Sequence, residues 1–213
     1  MHYSVIVIGE DPETQLAPYD ENLEVERYLR ASKGDLIQEA KERFRYEVGH
    51  GEYSSYIKDR EAWLKEHGED ENLVKRVKTT HDKFLLTDEE WYQLAIKYSD
   101  DIDPETGGEY TTCNPNGRWD WYEVGGRWSG EIELEDGSHV NSARVEDIKN
   151  LSDLTSYYLL NEGVWEGPDD GFNWRSQDYS ELKEREIAFG EHIKETLASL
   201  KPGTLVTVVD IHS

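Results

Sequence analysis

The most regular hydrophobic patterns of the chain lie near its two ends. Residues 3–9 and residues 204–212 are short runs dominated by valine, isoleucine and leucine, with little alternation between apolar and polar positions. Such β-branched runs are typical of strands that are buried on both faces. We therefore predict that the first and last strands lie side by side in the middle of a sheet.

Helical spacing of apolar residues dominates the chain between residues 33 and 98. Apolar positions three and four residues apart predict a helix that ends near Val48, and further helices over residues 54–67 and 68–80. Residues 87–90 read Thr-Asp-Glu-Glu, which is a capping box and predicts the start of a fourth helix. Residues 33–98 are therefore expected to form a helical insertion or a flanking helical layer.

Short strands and one long helix are predicted in the rest of the chain. The predicted elements are an edge strand over residues 23–29, strands flanking the Asp-Gly turn at residues 136–137, a strand over residues 155–160 that turns at residues 161–163, a loop over residues 167–177 with Phe172 and Trp174, and a helix from Asp178 or Ser180 to about Leu200. The helix is predicted from apolar residues that repeat on one face.

This order of elements indicates the α+β class. We predict a mixed or mainly antiparallel sheet in which the N- and C-terminal strands are central, with helices packed on one side. Residues 1–213 are expected to form a single domain, with residues 33–98 as the helical insertion or flanking layer.

The candidate ligand site lies in residues 114–128, which hold three tryptophans, two arginines and two adjacent glycines. Alternation before the glycine pair predicts a strand, and Gly125-Gly126 predicts a hairpin turn or a bulge. Flat aromatic faces bind nucleobases, and arginine binds phosphate or carboxylate. The candidate ligand-binding residues are Trp119, Asp120, Trp121, Tyr122, Arg127 and Trp128.

The same residues also suit a purely structural role. Aromatic pairs across strands stabilise a sheet without any ligand. On this interpretation the tryptophans form the core of the hairpin, and Asp120 pairs with Arg127 or with Arg118. Both interpretations remain open at the level of the sequence.

Charge is the outlying property of the composition. The chain has 47 acidic and 23 basic residues, for a net charge of −24, and the excess is spread along its length. Such a surface repels nucleic acid and anionic membranes, so we expect no direct contact with either. It suits a basic protein partner, or a protein that imitates DNA by presenting carboxylates in place of phosphates. Solubility alone is the competing explanation.

Other chemical signals in the sequence are weak. Cys113 is the only cysteine, and we expect it to be a small buried residue in a soluble, cytoplasmic protein. Residues 101–107 depart from the calcium-loop pattern, so a solvated acidic loop is expected there. The seven histidines are scattered, although His2 and His212 come together if the terminal strands are neighbours. No metal site, cofactor or catalytic residue is predicted.

Several blocks of the sequence are similar to one protein family. They are residues 5–11, residues 15–22, Asn114-Pro115 with the tryptophan-rich run 119–128, and the closing run 207–212. On these blocks the chain resembles an uncharacterised family of small proteins carried by bacteriophages and prophages. The resemblance implies a phage setting, in the cytoplasm of a host bacterial cell, and it supplies no catalytic residues.

Three functional hypotheses follow from the charge, the candidate site and the resemblance. The first is an acidic phage-type binding protein that inhibits or decoys a basic host protein used in defence or nucleic-acid handling, by DNA mimicry. The second is a nucleotide-like ligand-binding protein or enzyme that uses residues 118–128. The third is a structural phage protein without a site. We favour the first at the level of the sequence.

Overall fold

A computed structural model describes residues 1–49, 52–170 and 179–213. The chain forms two compact units. The first consists of Met1–Val25 and Cys113–Ser213, and the second of Glu26–Thr112. The predicted helical segment 33–98 falls within the second unit. Phe172, Trp174 and Asp178, which belong to the predicted loop and helix start, lie outside the described residues.

The described residues contain ten strands and seven α-helices, together with short 3-10 turns. The strands are β1 (His2–Ile8), β2 (Tyr28–Ala31), β3 (Glu109–Thr111), β4 (Trp121–Val124), β5 (Ile132–Glu133), β6 (His139–Val140), β7 (Ser142–Arg144), β8 (Tyr158–Asn161), β9 (Val164–Glu166) and β10 (Leu205–His212). The helices are α1 (Pro12–Leu16), α2 (Lys33–Gly49), α3 (Glu52–Lys58), α4 (Arg60–His67), α5 (Glu71–Lys83), α6 (Asp88–Ala95) and α7 (Tyr179–Ala198).

The main sheet of the first unit has β1 and β10 at its centre. Its strand order is β4-β10-β1-β8-β9, and β7 pairs with β10 beyond the end of β4. β1 runs antiparallel to β10 and parallel to β8, so the sheet is mixed. The predicted α+β fold with central terminal strands is confirmed.

Alternation along the two central strands fills a core on each face of the sheet. Ile6 and Val208 belong to one cluster, against which Ile193 and Leu197 of α7 pack. Val7 and Val209 belong to the cluster on the other face. Because both faces are covered by protein, the central strands can be apolar at nearly every position.

The long helix near the C-terminus presents one apolar face to the first core. Leu182, Ile193 and Leu197 are buried, whereas Ile187 is 64% exposed on the opposite side. The predicted three-to-four spacing of this helix is confirmed. Lys201-Pro202-Gly203 follows the helix, and Gly203 has a positive φ of 86°, a conformation that suits the turn into β10.

The second unit is mainly helical, and side-chain hydrogen bonds at N-cap residues mark where its helices begin. The predicted helix over residues 54–67 is two helices, α3 and α4, because Asp59 stands between them. The Asp59 carboxylate accepts a hydrogen bond from the backbone N–H of Ala62 and begins α4. The capping box of Thr87 and Glu90 is present, with both reciprocal hydrogen bonds.

The predicted edge strand over residues 23–29 is wrong. Residues 23–27 form no strand, and the strand β2 begins at Tyr28 and pairs with β3 of the same unit. Alternation of apolar and charged residues over so short a segment does not decide its structure, because a strand also requires a partner edge. The partner strand β3 pairs only with residues of β2, Tyr28–Ala31.

Removal of a core side chain from α7 tests this packing. Leu197 is 1% exposed, so Leu197→Ala should lower the free energy of unfolding by about 3 kcal/mol through lost burial and a cavity. Ile187→Ala on the exposed face of the same helix is the matched control and should change it by no more than about 0.5 kcal/mol. Urea unfolding measures both, and equal effects would contradict the assigned face.

Candidate functional site

The predicted hairpin at residues 118–128 does not form. β4 pairs antiparallel with residues 209–212 of β10, and the chain after it makes a 3-10 turn, Gly126–Trp128, rather than a returning strand. The next strand, β5, pairs with β6 instead. Gly125-Gly126 does make a turn, as predicted, and both residues have positive φ. The long edge of β10 offers β4 a better partner than a short neighbouring segment.

Three of the six candidate residues pack against the two cores. Trp119 is 7% exposed, its indole Nε1 donates a hydrogen bond to the Leu16 carbonyl at 3.1 Å, and its ring lies 4.9 Å from that of Tyr122. Burial raises the pKa of Tyr122, with a smaller contribution from Glu13. Trp128 is partly buried against the other core cluster. The rings of Trp119 and Tyr122 are therefore occupied by packing.

The other three candidate residues lie at the exposed end of the sheet. Trp121 is 44% exposed and is the register partner of His212 on β10. Asp120 and Arg127 are also accessible. Asp120 does not pair with either arginine considered from the sequence, because its carboxylate contacts His212 and Arg118 pairs with Asp170.

Two histidines stand side by side at this end of the sheet, as the pairing of the terminal strands predicts. His2 and His212 are register partners, and their ring centroids are 5.1 Å apart. His2 Nδ1 lies 2.8 Å from Asp210 Oδ1, and His212 Nδ1 lies 2.7 Å from Asp120 Oδ1. Each imidazole is thus oriented by its own carboxylate.

Asp210 is the most deeply buried member of the cluster. It lies in the central strand β10, and its side chain is only 2% exposed although the residue is acidic. The carboxylate accepts a hydrogen bond from the backbone N–H of Arg127 at 3.1 Å in addition to its contact with His2. A buried carboxylate is costly unless it is hydrogen-bonded, and these two partners offset part of that cost.

The glycine turn is shaped to cover this carboxylate. A Cβ atom on Gly126 would come within 2.7 Å of Asp210 Oδ2 and closer still to its Cβ. Gly126 also has a φ of 49°, a left-handed conformation that side chains disfavour. Gly126 therefore allows a close approach to Asp210, whereas a Cβ atom on Gly125 would meet the side chain of Asn141.

The geometry leaves one edge of each imidazole available for chemistry. An ionised carboxylate can only accept a hydrogen bond, so it holds the proton on Nδ1 and leaves Nε2 as the acceptor in the neutral ring. His2 is 23% and His212 42% exposed in their side chains. The Trp121 ring lies 5.9 Å from that of His2. Proton transfer and aromatic stacking are therefore available at one place.

The sequence carried one signal for this site that the predictions did not use. Asp210 interrupts an otherwise apolar strand, and a charged residue at such a position breaks the local rule for a buried strand. Its partners, His2 and the backbone of Arg127, are 208 and 83 residues away in the chain. Only the fold reveals that they meet.

The weaker candidates occupy ordinary positions. Cys113 is exposed, so the prediction that it is buried is wrong. In the second unit, the Asp103 carboxylate accepts hydrogen bonds from Thr106 within its own loop, while Asp101 pairs with Arg27.

Within residues 1–49, 52–170 and 179–213, no cluster of three or more His, Cys, Asp or Glu side chains is placed to hold a metal ion. No helix in those ranges combines the length and apolar character needed to cross a membrane.

Alanine at Gly126 tests the close approach to Asp210. Gly126→Ala should lower the free energy of unfolding by about 3 kcal/mol, because it adds a clash with a buried strand to the backbone strain. Gly137→Ala is the matched control, since Gly137 also has positive φ but a Cβ added there would meet no atom within 4 Å. It should cost only about 1 kcal/mol. Equal losses in urea unfolding would show that the turn does not press on Asp210.

Known proteins provide no independent guide to this site. Comparison of the chain with protein-family models, with curated proteins and with solved structures gives no match. The resemblance to bacteriophage and prophage proteins therefore remains a prediction. The side chains that the fold brings together are therefore the basis for a proposed function.

Proposed function

We propose that the exposed end of the central sheet binds a nucleotide-like ligand, with a planar ring and a phosphate group. The observation that carries the proposal is the pair of adjacent histidines, His2 and His212, each oriented through Nδ1 by a separate carboxylate. The exposed Trp121 ring and the accessible Arg127 side chain lie on the elements that adjoin this pair.

Each group supplies a different part of the recognition. Trp121 offers a flat face on which a base can stack. Arg127 makes no hydrogen bond or ion pair through its guanidinium with any described residue, so this group is available for a phosphate. The Nε2 atoms of His2 and His212 supply a proton acceptor and, when protonated, a proton donor.

The burial of Asp210 argues against a purely structural role for the cluster. An apolar residue of similar volume in a central strand is often as stabilising as a buried ion pair, or more so. The carboxylate instead orients His2, and the turn at Gly126 closes over it. Such an arrangement is expected where the direction of an imidazole matters.

The same pair would support acid–base chemistry on a phosphoester. A neutral imidazole accepts a proton from an attacking hydroxyl group or water, and a second imidazole, as the imidazolium ion, gives a proton to the leaving oxygen. Hydrolysis of a phosphoester requires that the ligand bind first, and the same ligand panel would reveal it.

Calorimetric titration with a panel of nucleoside mono-, di- and cyclic phosphates tests the binding site. Trp121→Ala and Arg127→Gln should each weaken binding about tenfold, through loss of stacking and of a charge-assisted hydrogen bond. Both side chains are accessible, so circular dichroism should show an intact fold. Arg118→Gln is the matched control, because Arg118 pairs with Asp170, and it should leave affinity unchanged.

Two results would contradict the nucleotide site. One is the absence of binding by the unaltered protein at millimolar concentrations of every nucleotide in the panel. The other is an equal loss of affinity in Arg118→Gln and Arg127→Gln, which would show a general effect of charge. Loss of the fold in Trp121→Ala would instead identify that residue as part of the core.

Charge favours a second candidate function, the inhibition or decoying of a basic host protein. The first unit has 26 acidic and 9 basic residues, and residues 1–25 contain six acidic residues and no lysine or arginine. Carboxylates on a folded frame could occupy a surface that normally binds DNA phosphates. This excess of acidic residues is the support for the proposal.

Charge reversal tests the acidic surface. Glu21→Lys with Glu24→Lys should abolish the capture of a basic protein from a bacterial lysate at low salt, because it places cations in the acidic segment. Glu66→Lys with Glu69→Lys makes the same change in net charge within the second unit and is the control. Captured protein should elute as salt rises. Capture that resists salt, or that both double variants lose equally, would contradict a specific acidic surface.

A further inference from the structure

A groove in the second unit lies between α2 and α6 and has a volume of about 550 Å³. This size is within the range of small-molecule sites. Its lining includes Arg43, Phe44, Lys83, Trp91, Leu94 and Tyr98. All of these residues belong to the second unit, and none belongs to the histidine cluster.

The groove has an aromatic floor and an exposed apolar wall. Phe44 and Trp91 are each 6% exposed, and their ring centroids lie 5.3 Å apart. Leu94 and Tyr98, which follow along α6 and the turn after it, are 44% and 83% exposed. Large apolar side chains exposed beside a concave surface are typical of a binding site rather than of a solvated helix.

The charged residues of the groove leave an excess of positive charge. Arg30 forms ion pairs with both Glu39 and Glu109, so these two carboxylates already have a partner. Arg43 is accessible and makes no hydrogen bond or ion pair with a residue in the described part of the chain. Lys83 lies with its Nζ 5.5 Å from the Phe44 ring centroid, which directs the ammonium over the aromatic floor.

This excess is unusual in its surroundings. The second unit has 21 acidic and 14 basic residues, yet the lining of its groove has three basic residues, Arg30, Arg43 and Lys83, against the two carboxylates of Glu39 and Glu109. A groove whose lining has a net charge of +1, with Arg43 and Lys83 outside the Arg30 ion pairs, complements a molecule that carries an acid group on an apolar body.

We propose that this groove binds a small amphipathic anion, an aromatic ring system that bears a carboxylate, sulfonate or phosphate. The acid group contacts Arg43 and Lys83, and the ring system packs on Phe44, Trp91 and Leu94. The site differs in residues and chemistry from the histidine cluster, where the polar groups are imidazoles and carboxylates.

A matched pair of fluorescent probes tests both halves of the recognition on the full chain. 8-Anilinonaphthalene-1-sulfonate has the aromatic body and an acid group, whereas N-phenyl-1-naphthylamine has the same rings without the sulfonate. The charged probe should bind with one-to-one stoichiometry and at least tenfold more tightly than the neutral one. Its affinity should fall as salt rises, because the attraction lies near the surface.

Variants then locate the site. Arg43→Gln and Lys83→Gln should each weaken the binding of the charged probe about tenfold and leave the binding of the neutral probe unchanged. Leu94→Ala should weaken the binding of both probes to a similar extent. Lys65→Gln, on the exposed side of α4, is the control for the loss of one positive charge and should have no effect. These variants alter accessible residues, so thermal unfolding should remain close to that of the unaltered protein.

Three outcomes would overturn the proposal. Equal affinity for the two probes would show that the cations play no part. An effect of Lys65→Gln as large as that of Arg43→Gln would show that binding follows net charge alone. Several weak sites in place of one would show that the probe coats apolar surface instead of entering the groove.

Discussion

Seven consecutive residue pairs join β1 to β10, and this antiparallel pairing supports the rest of the first unit. The pairing places two strands from opposite ends of the chain in the middle of the sheet, with a core on each face. Because side chains alternate, the register that directs Ile6 and Val208 into one core also sets His2 beside His212. The histidine pair is therefore a geometric consequence of the same contacts that stabilise the fold.

Asp210 is the point at which stability and the proposed function meet. Its carboxylate occupies a strand position that an apolar side chain would fill without any desolvation of charge. Its two partners, His2 and the backbone of Arg127, offset part of that cost. The turn at Gly126 can cover the carboxylate only because it has no side chain. A few residues around one buried charge thus determine the orientation of the imidazole.

Both proposed ligands carry negative charge, although the protein has a net charge of −24. Salt at about 0.1 M screens the repulsion between charges that are more than about 10 Å apart. A small anion can therefore still bind where its contacts at short range are favourable. Arg127 in the first unit, and Arg43 and Lys83 in the second, provide such local contacts. Nucleic acid carries many phosphates, so the expectation that it does not bind follows from the net charge of the chain and remains a prediction.

The sequence alone determined the elements whose patterns are long or chemically marked. The apolar terminal strands, the spacing in α7 and the capping box at Thr87 were sufficient to predict the α+β class and the central pair of strands. Alternation at residues 23–29 was too short to identify a strand. At residues 118–128 it led to the wrong prediction of a hairpin, because alternation identifies a strand without identifying its partner. For the same reason the six candidate residues could not be sorted between core and surface.

Tertiary structure decided which face each side chain takes and which distant groups meet. The pairing of β4 with β10 directed Tyr122 into the core and left Trp121 exposed beside the histidines, while Trp119, which precedes β4, is buried and donates a hydrogen bond to the Leu16 carbonyl. Asp210 acquired its partners only when β1 and the glycine turn closed around it. Periodicity reports what one segment can bury, whereas the register between strands decides what that segment is buried against, and register depends on the whole sheet.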